Sequence, residues 1–299
     1  MTVKIEKAVI PVAGLGTRIL PATKAIPKEL LPVYDRPIIE HVVQEAIAGG
    51  ITEIILATRS GKEAIENHFD AHYELEHRLE KKGKETILGT VKNILPEGVK
   101  VTSIRQSDAL GLGHAVLCAK RLLNNEPFAV LLPDVPLLDK ESRGKNVISF
   151  ARLVDAWNDT GIGQVMVEAV ESDRVENYGI ADLGDKTIEP FKSVKLKGLV
   201  EKPSPADAPS NLAVLGRYIL PSSVLDLLEN TGVGIGGEIQ LTDALDELLK
   251  SEGLNAFETD AATFDCGNKQ GFLGANVAVG MQDPKIKAYL KALIESSDA

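Results

Sequence analysis

Residues 8–33 read AVIPVAGLGTRILPATKAIPKELLPV. The apolar run 8–13 is short and ends in a glycine-bearing loop, the pattern of a buried strand. A helix is expected after Pro37, because Ile38, Ile39, Val42, Val43, Ala46 and Ile47 recur at helical spacing before Gly49 and Gly50 stop it. Residues 53–58 (EIILAT) then read as the next buried strand. Strand, loop, helix, strand is the order of an α/β protein with a Rossmann-like, doubly wound and mostly parallel central sheet.

Outward from that unit, residues 63–84 are highly charged with helical spacing and predict an exposed helical excursion. A strand is expected over 99–106, a loop over 107–113 and a helix to Leu123. Residues 128–132 form another buried strand that delivers Pro133 and Asp134 to its C-terminal end. A helix near 147–157 precedes a strand at 164–170. Between Tyr178 and Tyr218 short strands alternate with Gly and Pro, which makes the second half β-rich. Helices are expected over 222–228 and 238–249, then a strand over 256–264 that ends in Asp265, then closing helices. No internal repeat or linker interrupts the chain, so one continuous domain is expected over 1–299.

Composition narrows the function classes. The chain has 299 residues, 44% hydrophobic and 25% charged, which suits a globular protein with a sizeable core. A net charge of -10 argues against general affinity for nucleic acid, so any phosphate site must be a locally basic pocket in an acidic envelope. Two cysteines, Cys118 and Cys266, make neither a disulfide framework nor a zinc site. The N-terminus is polar, and no apolar run approaches the ~20 residues that cross a bilayer. A cytoplasmic protein with no membrane partner is expected. The five histidines form no His-Glu-x-x-His motif, and His68 and His72 read as solvated side chains.

The glycine loop matches neither common nucleotide motif. A dinucleotide fingerprint needs a third glycine where Ile19 stands, and the Gly-Lys-Ser/Thr of a Walker loop is absent. What remains is Gly14-Leu15-Gly16 followed by Arg18, Lys24 and Lys28, with Pro21, Pro27 and Pro32 restricting the backbone. On these residues alone, a phosphate cradle and a solvated turn are equally good readings. Gln106, ahead of the glycine-rich 107–113, has one acceptor and two donors to offer an imide edge, yet that turn also reads as plain helix-start geometry. Asp134 and Asp265 at strand ends suit a shared hard cation or simple turn caps. Glu201-Lys202-Pro203 alone reads as an exposed pair before a turn.

The stretch GLGTRILPATKAIPKELLPV resembles the signature of bacterial UTP–glucose-1-phosphate uridylyltransferases, within the sugar-nucleotide pyrophosphorylases. The spacing Gly-x-Gly-x-Arg…Pro-Lys is similar to the triphosphate loop of the wider family, and Ala22-Thr23-Lys24-Ala25 to its uridylyl branch. The resemblance continues through Asp134, Tyr178-Gly179, Glu201-Lys202, Glu238–Asp243 and Asp265–Gly267, nearly the whole chain. It implies a nucleotide-diphospho-sugar transferase fold, with 1–135 mainly a nucleotide-binding half, 136–270 mainly a sugar-binding half and 271–299 C-terminal helices.

The same resemblance assigns roles. The backbone of Ala13, Gly14, Leu15 and Gly16 would receive the nucleotide, with Arg18 and Lys28 on the β- and γ-phosphates. Gln106 and Gly111 would read the base, while Gly179 and Glu201 face the sugar hydroxyls and Lys202 the sugar phosphate. Asp134 and Asp265 would hold Mg²⁺, with Asp139 a weaker candidate because Asp134-Val135-Pro136-Leu137 departs from the family's Asp-Val-Val-Leu. The segment 237–243 is taken as mainly structural. The implied reaction is a single displacement at the α-phosphorus of UTP by glucose 1-phosphate, in a homo-oligomer. Two rivals remain: the same chemistry on another base or sugar, and a non-catalytic sugar-nucleotide-binding subunit.

Overall fold

The computed structural model describes residues 3–138, 148–234 and 237–297. Ten strands form one sheet: β1 (Lys7–Pro11), β2 (Glu53–Thr58), β3 (Lys100–Arg105), β4 (Phe128–Leu131), β5 (Gly163–Ala169), β6 (Gly179–Asp182), β7 (Ser193–Lys195), β8 (Gly198–Glu201), β9 (Leu212–Leu220) and β10 (Leu254–Glu258). Its main path runs β7-β10-β5-β9-β4-β1-β2-β3, and β6 and β8 pair beside β9. The ladders β4–β1, β1–β2 and β2–β3 are parallel, as is β5–β10. β9 runs antiparallel to both β4 and β5, and β7 to β10, so the sheet is mixed.

Strand periodicity explains why apolar runs fill both faces. Successive side chains of a strand point to opposite sides. Ala8, Ile10, Ile54, Leu56, Ala129 and Leu131 accordingly pack in one core with the helices Ile38–Ala48 and Ile148–Thr160. Their neighbours Val9, Ile55, Ala57, Phe128 and Val130 pack in the other, under helices Gly111–Cys118, Ser223–Asn230 and Leu241–Ser251. Both faces are covered, which is what a doubly wound sheet requires. The helix Ile38–Ala48 starts after Pro37 and ends at Gly49, as its sequence predicts. The charged excursion resolves into helices Glu63–Phe69, Tyr73–Lys81 and Glu85–Lys92, the last two with no buried residue.

Two expectations are corrected. The strand expected over 256–264 stops at Glu258, because the Thr259 hydroxyl turns to Ser149 Oγ at 2.8 Å and accepts from Ala261 N at 3.1 Å. The chain resumes as Ala262–Thr263, paired with Leu137–Leu138, and this short ladder carries Asp265. The helix expected from 238 starts only at Leu241, because Ile239 makes backbone bonds to Leu110 O and from Gly113 N. Asp139 and Val147 lie outside the described residues.

β9 bulges between Val214 and Tyr218, and Gly216 sits in the bulge at φ 68°. Its carbonyl accepts from Leu132 N at 2.9 Å, and a Cβ there would lie 2.5 Å from Leu132 Cδ1. Gly216→Ala is therefore expected to destabilise by about 2–4 kcal/mol, from left-handed strain plus overpacking. Urea unfolding of both proteins checks this.

Candidate active site

Everything in the site hangs from strand ends. β1 ends at Pro11, Val12 N donates to Ala57 O at 2.8 Å, and the chain then turns into the glycine loop. Three short 3₁₀ turns, Thr17–Ile19, Ala22–Lys24 and Lys28–Leu30, fold the loop back on itself. Thr23 Oγ1 donates to Gly16 O at 2.7 Å, and Gly16, at φ 66°, lies so close to Lys28 that a Cβ would sit 3.1 Å from Lys28 Cβ. The loop is thus folded around the Lys28 stem, although most of its residues between Gly14 and Ile26 remain exposed.

Lys28 Nζ donates to Asp134 Oδ2 at 2.6 Å, both side chains being only 16% exposed. Arg18, 61% exposed, reaches across from above: Nη2 is 3.7 Å from Asp134 Oδ2, and Nη1 donates to Asp265 Oδ2 at 3.3 Å. The structure therefore brings together two basic and two acidic residues separated by up to 247 positions in sequence. Burial pushes the Asp134 carboxyl up, but the Lys28 ammonium and the Arg18 guanidinium outweigh it and hold the group below its ordinary value. Asp134 is a carboxylate at neutral pH.

Asp265 is held as firmly. Gly267 N donates to its Oδ1 at 2.8 Å and Asn268 Nδ2 to its Oδ2 at 3.0 Å, while Asn268 Oδ1 caps the helix Lys269–Gly280 through Gly271 N. A Cβ on Gly267 would lie 2.5 Å from Arg18 Nη2, so glycine is what lets the guanidinium approach. Cys266 N donates to Asp134 O at 2.8 Å and ties the two acidic segments together. Burial, with Asp134 and Asp265 beside it, pushes the Cys266 thiol up to about 12, so it stays protonated and no thiolate nucleophile is present there.

Two cavities meet at Asp134. One, of ≈ 310 Å³, is lined by Ala13, Gly14, Lys28, Gln106, Gly111 and Glu238. The other, of ≈ 290 Å³, is lined by Arg18, Asp265, Gly179, Glu201 and Lys202. Of the residues assigned to the nucleotide, Ala13, Gly14, Lys28, Gln106 and Gly111 line the first space, while Gly179, Glu201 and Lys202, assigned to the sugar, line the second. Three assignments depart from this division: Arg18 lines the second space, Gly16 lines neither, and Leu15, 66% exposed, lines a neighbouring hollow with Lys24 and Arg59.

In the second cavity Gly179 and Glu201 are register partners on β6 and β8, and a Cβ on Gly179 would lie 3.2 Å from Glu201 Oε2. Thr242 Oγ1 donates to that same oxygen at 3.1 Å. Lys202 takes a left-handed φ of 46°, uncommon for a residue with a side chain. Its ammonium stands 3.5 Å from Glu201 Oε1.

Several residues of the site were not found from sequence. Glu168, at the end of β5, lines the second cavity, accepts from Thr263 Oγ1 at 2.5 Å, and has its carboxyl pushed up by burial. Arg174 Nη2 donates to the Tyr178 hydroxyl at 2.8 Å in the same wall. Glu238 stands against Gly111, where a Cβ would meet Glu238 Cβ at 2.7 Å, so this segment lines the first cavity as well as supporting a helix. An acid closing an apolar strand is the only local signal Glu168 offered. Gln106 differs from expectation in one respect: its Nε2 donates to Gly111 O at 2.9 Å and lies 3.2 Å from His114 Nδ1, so its nitrogen faces groups of the protein.

Among the described residues no three His, Cys, Asp or Glu side chains cluster as a metal cage. The carboxyl oxygens of Asp134 and Asp265 are instead a donor set of the kind Mg²⁺ shares with phosphate oxygens.

Known proteins are similar to this chain in sequence and in fold. The profile of the nucleotidyl transferase family matches residues 7–282. A UTP–glucose-1-phosphate uridylyltransferase of Haemophilus influenzae is 50% identical over 290 residues, 97% of this chain and 98% of the relative. A UTP-bound enzyme of the UDP-glucose pyrophosphorylase kind from Acinetobacter baumannii superposes with a TM-score of 0.89 at 48% identity, covering 97% of this chain and 98% of the other. A UDP-glucose pyrophosphorylase complexed with UDP-glucose superposes with a TM-score of 0.81 at 35% identity, covering 96% of this chain and 99% of the other. The chain belongs to the nucleotidyl transferase family, among its UTP–glucose-1-phosphate uridylyltransferases.

Proposed function

We propose that this chain transfers a uridylyl group from UTP to glucose 1-phosphate, releasing UDP-glucose and pyrophosphate. The observation that carries the reading is the meeting of two cavities at Asp134, with Arg18 and Lys28 at the junction. Relatives described as UTP-bound and as complexed with UDP-glucose support the two substrates.

In this reading UTP lies along Ala13–Gly16 with its base toward Gln106 and Gly111. Glucose 1-phosphate lies against Gly179, Glu201 and Lys202. Its phosphate is already ionised near neutral pH, so one of its oxygens attacks the α-phosphorus without a general base. Pyrophosphate leaves in line. Arg18 grips two oxygens of the departing group, Lys28 supplies a point charge, and Lys202 offsets repulsion between the two anions. Asp134 and Asp265 would hold Mg²⁺, which would supply neutralisation of phosphate charge there. Positioning and electrostatics then carry the catalysis.

Three further parts of the proposal are coarser. The halves 1–135 and 136–270 work as one unit, supported by the β4–β9 ladder that runs between them. A homo-oligomer is supported by exposed Leu273, Tyr289 and Leu293 on the last two helices. A cytoplasmic setting accords with the charge and cysteine content, and no described helix is long and apolar enough to cross a membrane.

Purified protein is expected to release pyrophosphate fastest from UTP with glucose 1-phosphate and Mg²⁺, and to fall to background without the metal. Faster release with dTTP or galactose 1-phosphate would move the chain to a sister activity. No release with any pair, from protein that still binds UDP-glucose, would make it a binding subunit. Asp134→Asn should keep the fold and lower kcat by about 10²–10³-fold, the scale of losing one preorganised charge contact. Full turnover in that variant would contradict the metal assignment.

A further inference from the structure

Gln106 leaves β3 with its backbone N–H still bonded to Thr58 O at 2.8 Å, and its side chain is 6% exposed in the wall of the nucleotide-side cavity. An amide nitrogen has two N–H groups and no lone pair to offer. Gly111 O can only accept, so the 2.9 Å contact fixes which end of the amide is nitrogen. The second N–H then faces His114 Nδ1 at 3.2 Å, which must present a lone pair. The neutral imidazole therefore carries its proton on Nε2, 3.8 Å from Cys118 Sγ. That thiol is kept protonated by burial, so its sulfur is a weak acceptor for the ring N–H. This chain of contacts leaves only Gln106 Oε1 for a ligand.

We propose that His114 is a positioning residue for base recognition: it holds Gln106 so that the site offers the base a bare acceptor. Uracil has an N3–H to meet that oxygen. Cytosine has a lone pair at N3, which a carbonyl oxygen repels. With Gly111 O left as its one partner, the amide would be held less firmly and could swing its unpaired N–H toward the cavity, because an unpaired buried donor is costly. Its preference between the two pyrimidines would then weaken. His114 reaches neither base nor phosphate in this account and acts through Gln106 alone. The proposal rests on the uridylyl-transfer reading above.

The test compares wild-type protein, His114→Leu, which removes the acceptor, and His114→Asn, whose Oδ1 replaces Nδ1. KM and kcat are measured for UTP and for CTP with glucose 1-phosphate. His114→Leu should raise KM for UTP about tenfold with kcat little changed, and lower the UTP-to-CTP selectivity by a similar factor, as expected for one lost buried hydrogen bond. His114→Asn should restore both. The role of His114 is overturned if His114→Leu keeps wild-type KM and selectivity, if it slows both nucleotides equally, or if His114→Asn behaves like His114→Leu. Wild-type protein indifferent between UTP and CTP overturns the uridylyl reading itself, and this inference with it.

Discussion

Arg217 is fully buried, and every N–H of its guanidinium is used inside the protein. Nε and Nη2 clasp both oxygens of Glu45, at 2.6 and 2.9 Å, from the helix that covers one face of the sheet. Nη1 donates to Leu132 O at 3.0 Å and Nη2 to Val135 O at 2.6 Å. Those two carbonyls flank Pro133 and Asp134. A buried ion pair is a weak source of stability, because desolvation cancels most of the attraction. What this one contributes is position. Asp134 sits beyond the end of β4, where no ladder holds the backbone, and Arg217 substitutes for the missing ladder.

Once Asp134 is placed, the rest of the centre follows from charge. A carboxylate this enclosed needs cations, and the glycine loop supplies Lys28 from below and Arg18 from the solvent side. The two differ in use. Lys28 is enclosed and rigid, a fixed part of the wall. Arg18 is mostly exposed and spans both carboxylates, so in the proposed reaction it is the cation that would turn to phosphate oxygens. The backbone bond from Cys266 to Asp134 keeps the second acidic segment in step with the first.

The parts legible in sequence were those that depend on neighbours in the chain. Apolar runs marked β1, β2 and β4, and Pro37 with Gly49 bounded the first helix, because burial periodicity and backbone restriction are local properties. Gly14 to Lys28 was legible through its resemblance to a known signature. What sequence could not show was pairing across long separations. Arg217 carries no local mark in the sequence, because its partner Glu45 lies 172 positions away. Glu168 was hidden for the same reason, since its partner Thr263 is 95 positions on. The segment before Leu241 was read as helix because its acids suit a helix start, whereas the backbone bonds of Ile239 to the Leu110–Gly113 turn took precedence.

The central claim is that both anions occupy the junction at Asp134 together and react directly, with no covalent nucleotidyl-enzyme between them. Isotope exchange tests it most directly. Protein, UTP, Mg²⁺ and labelled pyrophosphate are incubated with glucose 1-phosphate omitted, and UTP is then examined for label. Direct displacement predicts no label in UTP until glucose 1-phosphate or UDP-glucose is supplied. Label entering UTP at a rate near turnover, without either sugar, would mean that a group on the protein accepts the uridylyl moiety first and would contradict the account.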